Sequence, residues 1–450
     1  MRFGTDGVRG VANAALTPEY ALALGRATAR VFATQVVVGR DTRRSCDLLE
    51  AAFVAGVCAE GSDAVLLGVI PTPAVAMYSQ RDACAGAVIS ASHNGFADNG
   101  IKIFAPGGLK LHDDTLVQLE NAVAEVLAGV EPSTAPTGPA VGVVKLVSNA
   151  AEEFARHVVD AIQHRSQLGA LPLTGRTVVL DCAHGASYQV AGEVFSALGA
   201  EVVLLSSAPN GTNINEGCGS THPEALQAAV REHRAMMGLA FDGDADRVLA
   251  VDDHGELVDG DQLLALLAVD LQASGDLAQD TVVVTVMSNL GFLKAMEANN
   301  ITVVVTPVGD RFVLEALAEG DFVLGGEQSG HIVIKPTSST GDGVLAGAHV
   351  ALLVAQAGQP LSQLAGSSMQ RFPQILTNIA VPQPMPDIAD RIAAQIEHSE
   401  SQLGGAGRVL VRPSGTEALV RVMVEAMDLA LAEEVSARLA DAVRVAVSSA

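Results

Sequence analysis

Gly238-Leu-Ala-Phe-Asp-Gly-Asp-Ala-Asp-Arg247 is an apolar strand that ends in a loop carrying three carboxylates two residues apart. Two other stretches close in the same way. Gly86–Ile89 runs into Ser90-Ala-Ser-His-Asn94, and Phe322–Leu324 runs into Gly325-Gly-Glu-Gln-Ser-Gly330. Upstream, each is the last of three apolar strands separated by helix-period or turn segments. The earlier two are Val36–Val38 and Ala64–Leu67 in the first copy, Val178–Asp181 and Glu201–Leu205 in the second, and Val282–Val286 and Thr302–Val305 in the third. This order predicts an internal structural repeat. Strands apolar along their whole length, with helices between them, imply a mainly parallel sheet covered on both faces. Chemistry in such sheets collects beyond the carboxyl ends of the strands, where all three polar loops fall.

At 450 residues the chain exceeds what one hydrophobic core normally serves. A tract rich in Pro, Gly, Ser and Thr at 131–142 sets a boundary before a helical segment at Asn149–His164, and a further apolar helix at Asp261–Leu271 opens the third copy. From Arg371 the pattern changes to Ile375–Val381, a helix near Asp387–Ser399, strands at Val409–Arg412 and Val420–Val424, and a helix from about Leu429. The expected fold is α/β. Three similar mixed or parallel-sheet α/β domains occupy residues 1–145, 146–256 and 257–369, and a smaller C-terminal α+β domain occupies 370–450.

Apolar residues make up 49% of the chain and charged residues 17%, a balance that fills several cores and does not resemble disorder. The net charge of −24 opposes attraction to nucleic acid or anionic lipid, so neither is an expected partner. An anionic small substrate would need clustered Arg and Lys to reverse that field locally. Cysteines at 46, 58, 84, 182 and 218 form no Cys-x-x-Cys pair and read as reduced, mostly packed thiols. Met-Arg-Phe-Gly-Thr-Asp lacks the apolar stretch of a secretory signal, and windows such as Val344–Val354 are too short to span a bilayer. The expected location is the cytoplasm.

Three carboxylates on alternate residues converge only on a loop, and they repel unless a hard divalent cation or strong cation pairing offsets them. An EF-hand does not fit Asp242–Asp253, because its sixth position is Arg247 rather than Gly and its twelfth is Asp253 rather than Glu. A solvated acidic turn is the plainer alternative. In Ser90–Asn94, small neighbours leave Ser92 accessible as a nucleophile, although strand-ending Ser and Asn often only satisfy turns. Arg412-Pro-Ser-Gly-Thr-Glu417, with Arg421 beyond it, has the parts of a phosphate cradle or of a surface turn. Arg9, Arg40, Arg43 and Lys102 stand in polar, Gly-containing segments read as turns, and any one is equally an ordinary surface charge. Glu327-Gln-Ser-Gly-His331 concentrates groups suited to sugar hydroxyls, with His331 also readable as a structural histidine. Asp310 is placed to cap the helix Phe312–Ala318.

Taken in order, these segments resemble the α-D-phosphohexomutase family over essentially the whole chain. The opening Phe3-Gly-Thr-Asp-Gly-Val-Arg-Gly10, Gly309-Asp-Arg311 and Gly325-Gly-Glu-Gln-Ser-Gly-His331 are similar to its bacterial branch acting on glucosamine phosphates, rather than to the phosphomannomutase or phosphoglucomutase branches. The resemblance implies four domains around a central cleft. It implies a phosphorylated Ser92 that, with Asp242, Asp244 and Asp246, holds one Mg2+, and it makes His93, Lys102, Arg9 and Arg247 the further catalytic candidates. It assigns Gly309, Asp310, Arg311, Glu327, Ser329 and His331 to the sugar, and Arg412, Ser414, Gly415, Thr416 and Arg421 to the phosphate not in transfer. A small-molecule sugar phosphate would be the partner, glucosamine 1,6-bisphosphate the intermediate and activator, and the chain a monomer or homodimer. Gly95 and Ala418 stand where the family usually has Pro, and Phe312 where it commonly has Tyr, which bears on loop order more than on reaction type. A noncatalytic cation-binding module is the rival of another class, and it predicts no transferable phosphoryl group on Ser92.

Overall fold

The computed structural model describes residues 3–4, 7–130, 135–383, 385–413 and 418–448. They divide into two compact units, one drawn from residues 1–287 and 301–368 and the other from 288–300 and 369–450.

The first unit holds three sheets. β1 (Val8–Val11), β2 (Val36–Arg40), β3 (Ala64–Val69), β4 (Ala85–Ile89), β5 (Asp98–Phe104) and β6 (Val144–Leu146) lie in the order β1-β5-β4-β2-β3-β6. β7 (Thr177–Asp181), β8 (Glu201–Leu205), β9 (Met237–Phe241), β10 (Val248–Val251) and β11 (Leu257–Val258) lie in the order β11-β10-β9-β7-β8. β12 (Thr281–Thr285), β13 (Thr302–Thr306), β14 (Leu324–Gly326) and β15 (Ile332–Ile334) lie in the order β13-β12-β14-β15. The expected repeat is present as the parallel trios β4-β2-β3, β9-β7-β8 and β14-β12-β13.

Each trio carries one addition that the sequence pattern did not announce. A short strand returns antiparallel on the third member, β5 on β4, β10 on β9 and β15 on β14. Each polar loop is therefore the reversal between a buried strand and its return. Arg9 and Lys102, read from the sequence as lying in turns, are strand residues, Arg9 of β1 opposite Gly100 and Lys102 of β5 opposite Val88. β14 starts two residues later than expected, because the Phe322 N–H bonds back to Leu317 O and ends the preceding helix there.

Helices pack over these sheets with ordinary local chemistry. Asp259 and Gln262 form a reciprocal capping box, and Gly275 closes the helix Gly260–Ser274 at φ 78°. The apolar window expected at Val344–Val354 is the core helix Gly343–Ala357, almost wholly buried. Asp310 opens its helix as the first helical residue, with Gly309 at φ 134° in the cap position. All five cysteines are free thiols, and every one but Cys58 is buried. Among the described residues no single helix is long and apolar enough to cross a membrane.

The second unit is a three-stranded antiparallel sheet, β16 (Gln374–Ala380), β17 (Gly407–Pro413) and β18 (Leu419–Ala426), in the order β16-β18-β17. The helix Leu429–Ser448 packs on it through Val435, Leu439 and Val443. The helix expected near 387–399 is two pieces, Ile388–Arg391 and Ala393–Leu403, broken where Ile392 leaves helical geometry. The helix Leu290–Ala298 joins this unit through Asn289 Nδ2, which donates to Phe372 O at 3.0 Å, and the Leu290 N–H, which donates to Glu425 Oε2 at 3.0 Å.

Candidate active site

The loops after β4 and β9 meet. Ser92 Oγ donates to Asp242 Oδ2 at 2.7 Å, and both residues are buried. The backbones touch as well. A Cβ on Gly243 would come within 2.9 Å of Asn215 Nδ2 and closer still to Ser92 O, and one on Gly185 would lie 2.7 Å from Gly243 Cα. Glycine is needed at both positions for space.

Asp242, Asp244 and Asp246 bring one carboxylate oxygen each within 4.8 Å of one another. Lys102 Nζ bonds Asp244 Oδ2 at 2.8 Å and Asp246 Oδ2 at 2.9 Å, and Thr72 Oγ1 donates to Asp244 Oδ2 at 2.6 Å. Asp244 Oδ1 and Asp246 Oδ1 are buried with no hydrogen-bond partner. Unpartnered buried anionic oxygens are costly. Three converging carboxylates form an all-oxygen donor set, and two of their buried oxygens have no hydrogen-bond partner, so the triad can hold a hard divalent cation. Burial and the charges of Asp246 and Asp244 push the Asp242 carboxyl well above its usual range. Burial would raise Asp246 too, but Lys102, His331 and Arg247 outweigh it and hold that group well below the usual range.

His93 Nδ1 lies 3.3 Å from Ser92 Oγ. Burial, together with the charges of Arg247 and Arg9, lowers its pKa to about 4, so the imidazole is neutral near pH 7. Arg247 Nε lies 3.8 Å from Asp246 Oδ1. The loop after β14 sits beside this group, with Arg247 and His331 forming an isolated bridge. His331 is 2% exposed. Its Nε2 accepts the Gly341 N–H at 3.2 Å, which leaves the proton on Nδ1, 3.9 Å from Asp246 Oδ1. Burial opposes its protonation, but Asp246 prevails and raises its pKa. It therefore faces the acidic loop from behind, while Ser329 is exposed and Glu327 half-buried. The Gly309 N–H donates to Glu327 Oε1 at 3.2 Å. Asp310 pairs with Lys110 at 2.8 Å and Arg311 with Asp113 and Glu315, so these two candidates bond to protein groups.

In the second unit Arg412 and Arg421 face each other across β17 and β18. Burial and the Arg421 charge lower the Arg412 pKa. Like charges directly opposite on a sheet destabilise it unless an anion lies between them. Ser414, Gly415 and Thr416 lie outside the described residues.

Sequence reasoning missed Asp41, Thr72 and Asn215, and it left Arg43 as one cation among several. Asp41 and Arg43 follow the carboxyl end of β2, the position that marked the other loops, so that signal was available. Asn215 lies in an irregular stretch and carried none.

A buried serine hydroxyl against an acidic, metal-competent loop, at the carboxyl ends of repeated mixed sheets, defines a phosphoryl-transfer enzyme of the α/β class. Models of phosphoglucomutase/phosphomannomutase match the chain in order, with α/β/α domain I at residues 1–128, domain II at 152–255, domain III at 259–372 and the C-terminal domain at 376–442. A phosphoglucosamine mutase of Mycobacterium tuberculosis is 49% identical over 453 residues, covering 99% of each chain. The structure of a phosphoglucomutase/phosphomannomutase family protein from Burkholderia thailandensis has the same fold, with TM-score 0.79 and 24% identity over 98% of this chain and 97% of that one. So does that of Aspergillus fumigatus N-acetylphosphoglucosamine mutase in complex with GlcNAc-6P and magnesium, with TM-score 0.70 and 18% identity over 99% of this chain and 96% of that one. The chain belongs to the phosphoglucomutase/phosphomannomutase family, and it is an isomerase of the phosphohexomutase superfamily.

Proposed function

We propose that this chain interconverts glucosamine 6-phosphate and glucosamine 1-phosphate through a phosphorylated Ser92. The observation that carries this function is the 2.7 Å contact between Ser92 Oγ and Asp242 Oδ2, in a chain matched from end to end by a glucosamine-phosphate enzyme. The phosphoryl group of Ser92 passes to the free hydroxyl of the sugar monophosphate. The bond from phosphorus to Ser92 Oγ breaks as one to the sugar oxygen forms, and the sugar hydroxyl loses its proton. The glucosamine 1,6-bisphosphate so made turns around and returns its other phosphoryl group to Ser92 Oγ. The same bisphosphate activates any chain that has lost its phosphate.

His93 is neutral and beside Ser92 Oγ, which supports it as the group that moves the hydroxyl proton. Lys102, Arg9 and Arg247 offset the nearly dianionic phosphoryl group. Asp242, Asp244 and Asp246, with an oxygen on Ser92, would hold one Mg2+. Bound there, it supplies charge stabilisation to the transferring group. Glu327 and Ser329 read sugar hydroxyls, with Gly309, Asp310, Arg311 and His331 supporting that loop. Arg412, Ser414, Gly415, Thr416 and Arg421 grip the phosphate that stays. The enzyme works in the cytoplasm as a monomer or homodimer on this small phosphosugar.

Mass spectrometry tests the reading, with a phosphoryl group expected on Ser92 that is discharged by glucosamine phosphate. Ser92→Ala should lower turnover by at least about 10³-fold while sugar-phosphate affinity stays within about threefold. A normally active Ser92→Ala would refute the role of Ser92, and a preference for glucose or mannose 1-phosphate would refute the substrate.

A further inference from the structure

The serine loop is gripped through its backbone. Asp41 and Arg43 lie just beyond β2 with wholly buried side chains, and Arg43 Nε bonds Asp41 Oδ2 at 2.8 Å. Asp41 Oδ2 also accepts from Ser90 Oγ at 2.6 Å, and Ser90 Oγ accepts the Ser92 N–H at 2.9 Å. On the other side of Ser92, Arg43 Nη2 donates to Ser92 O and Asn94 O, both at 2.9 Å. Arg43 Nη1 donates to Asp98 O at 3.1 Å and to Gly95 O. Asn215 Nδ2 reaches the same carbonyls of Ser92 and Asn94 at 2.9 Å each.

A guanidinium has five N–H donors in a fixed planar fork, and here all five meet acceptors, one on Asp41 and four on the backbone between Ser92 and Asp98. A lysine ammonium has three donors and no fork. Replacing a buried ion pair with apolar side chains is often neutral or stabilising, so stability alone is a weak reason for this one. The conformation it holds is unfavourable, because Ser92 sits at φ 52°, in the left-handed region that L side chains rarely adopt. The grip on its N–H and C=O holds Ser92 in the conformation that puts Oγ 2.7 Å from Asp242 Oδ2.

We propose that Arg43, oriented by Asp41, is a positioning residue for phosphoryl transfer, a role that rests on the reading of Ser92 as the phosphoryl carrier. It fixes the seryl oxygen for both halves of the reaction and touches neither phosphate nor sugar. Displacing a reacting atom by about 1 Å costs on the order of 10²-fold in rate.

The test is rapid-quench transfer from phosphorylated Ser92 to glucosamine 6-phosphate, with steady-state kcat and KM alongside. In Arg43→Lys the transfer rate should fall about 10–100-fold with KM within about threefold of the unmodified chain. Asn215→Ala removes two donors from the same carbonyls without unpairing a buried charge, and it should lose about 3–10-fold in the same step. Arg26→Lys alters an ion pair with Glu60 that does not reach the loop, and it should transfer at the normal rate. A folded Arg43→Lys that transfers at the unmodified rate, or loses only KM, overturns the proposal. Should that variant not fold, an unmodified rate in Asn215→Ala does the same. An unmodified chain without a transferable phosphoryl group on Ser92 overturns the mutase function itself, whereas normal transfer in the unmodified chain and both variants overturns only the role of Arg43.

Discussion

Lys102→Met isolates the electrostatics of the acidic loop, because it keeps the aliphatic stem and removes only the ammonium that two carboxylates share. Lys102 is 2% exposed, and its partners Asp244 and Asp246 are buried with it. Removing one member of a buried pair costs about 3–5 kcal/mol, and with two carboxylates stranded the upper part of that range applies. At the roughly 2 °C per kcal/mol suited to a large unit, Tm in the presence of chelator should fall by about 8–10 °C. Mg2+ should restore part of this, since a triad without its ammonium attracts a divalent ion more strongly. A tenfold gain in affinity adds about 1.4 kcal/mol of stabilisation under saturating metal, or about 3 °C. The assay is calorimetric melting of both proteins in chelator and in saturating Mg2+. An equal fall in Tm with and without Mg2+ would refute the reasoning, because metal and ammonium would then not share one site.

Gly185→Ala forces a Cβ to 2.7 Å from Gly243 Cα, so it should weaken Mg2+ binding by calorimetric titration and lower kcat more than tenfold, with an overpacking cost of about 1–3 kcal/mol. Arg421→Gln removes one of the two facing guanidiniums, and it should raise KM for the sugar phosphate about tenfold or more, for a charge-assisted bond of about 1.5–3 kcal/mol, while Ser92 phosphorylation stays unchanged. Asp342 is fully buried, and burial pushes its carboxyl up to about 7 against the Leu345 and Val344 amides that lower it. The folded state therefore binds a proton that the unfolded chain has already lost, so this group's contribution to stability falls as pH rises from about 4 to about 7 and is level above. Asp342→Asn keeps the cap on Leu345 N and should remove that slope, read as the difference between the two proteins in urea melts across the range.

The parallel trios were legible because buried parallel strands are apolar along their whole length, and that pattern is local. The return strands were not. β1 and β5 contain Gly10, Asn99 and Gly100, which read as turn residues, and their identity rests on a pairing of Val8 with Ile101 far apart in sequence. The aspartate triad showed itself by spacing alone. Arg43 did not, because a guanidinium in a polar segment reads as surface charge until five acceptors around it are known. His331 was read with the sugar loop, yet its ring is turned inward by the Gly341 N–H, a contact no local pattern encodes.

The reversals themselves explain why these loops resist local prediction. Each polar loop turns a buried strand into its antiparallel return, and each does so through a left-handed residue: Ser92 at φ 52°, Ala245 at φ 56° and Gly330 at φ 88°. Glycine at 330 adopts this freely, and it also lets Val248 pass closer than a Cβ would allow. Serine and alanine do not, and around them Ala183, His184 and Asn215 are left-handed too, at φ 54°, 49° and 58°. Five such non-glycine residues cost on the order of 5–10 kcal/mol, which is comparable to the net stability of a domain. The bonds that offset this run between loops: Asn215 N to Ala183 O at 2.9 Å, Ala186 N to Gly243 O at 2.8 Å and Gly343 N to Ala245 O at 3.0 Å. No one loop is stable in its own conformation, and each is held by the next. Strain concentrated at the sheet ends and opposed by contacts between repeats holds the Ser92 oxygen and the aspartate triad in one arrangement, so under the proposed function little of the substrate's binding energy is needed to order them.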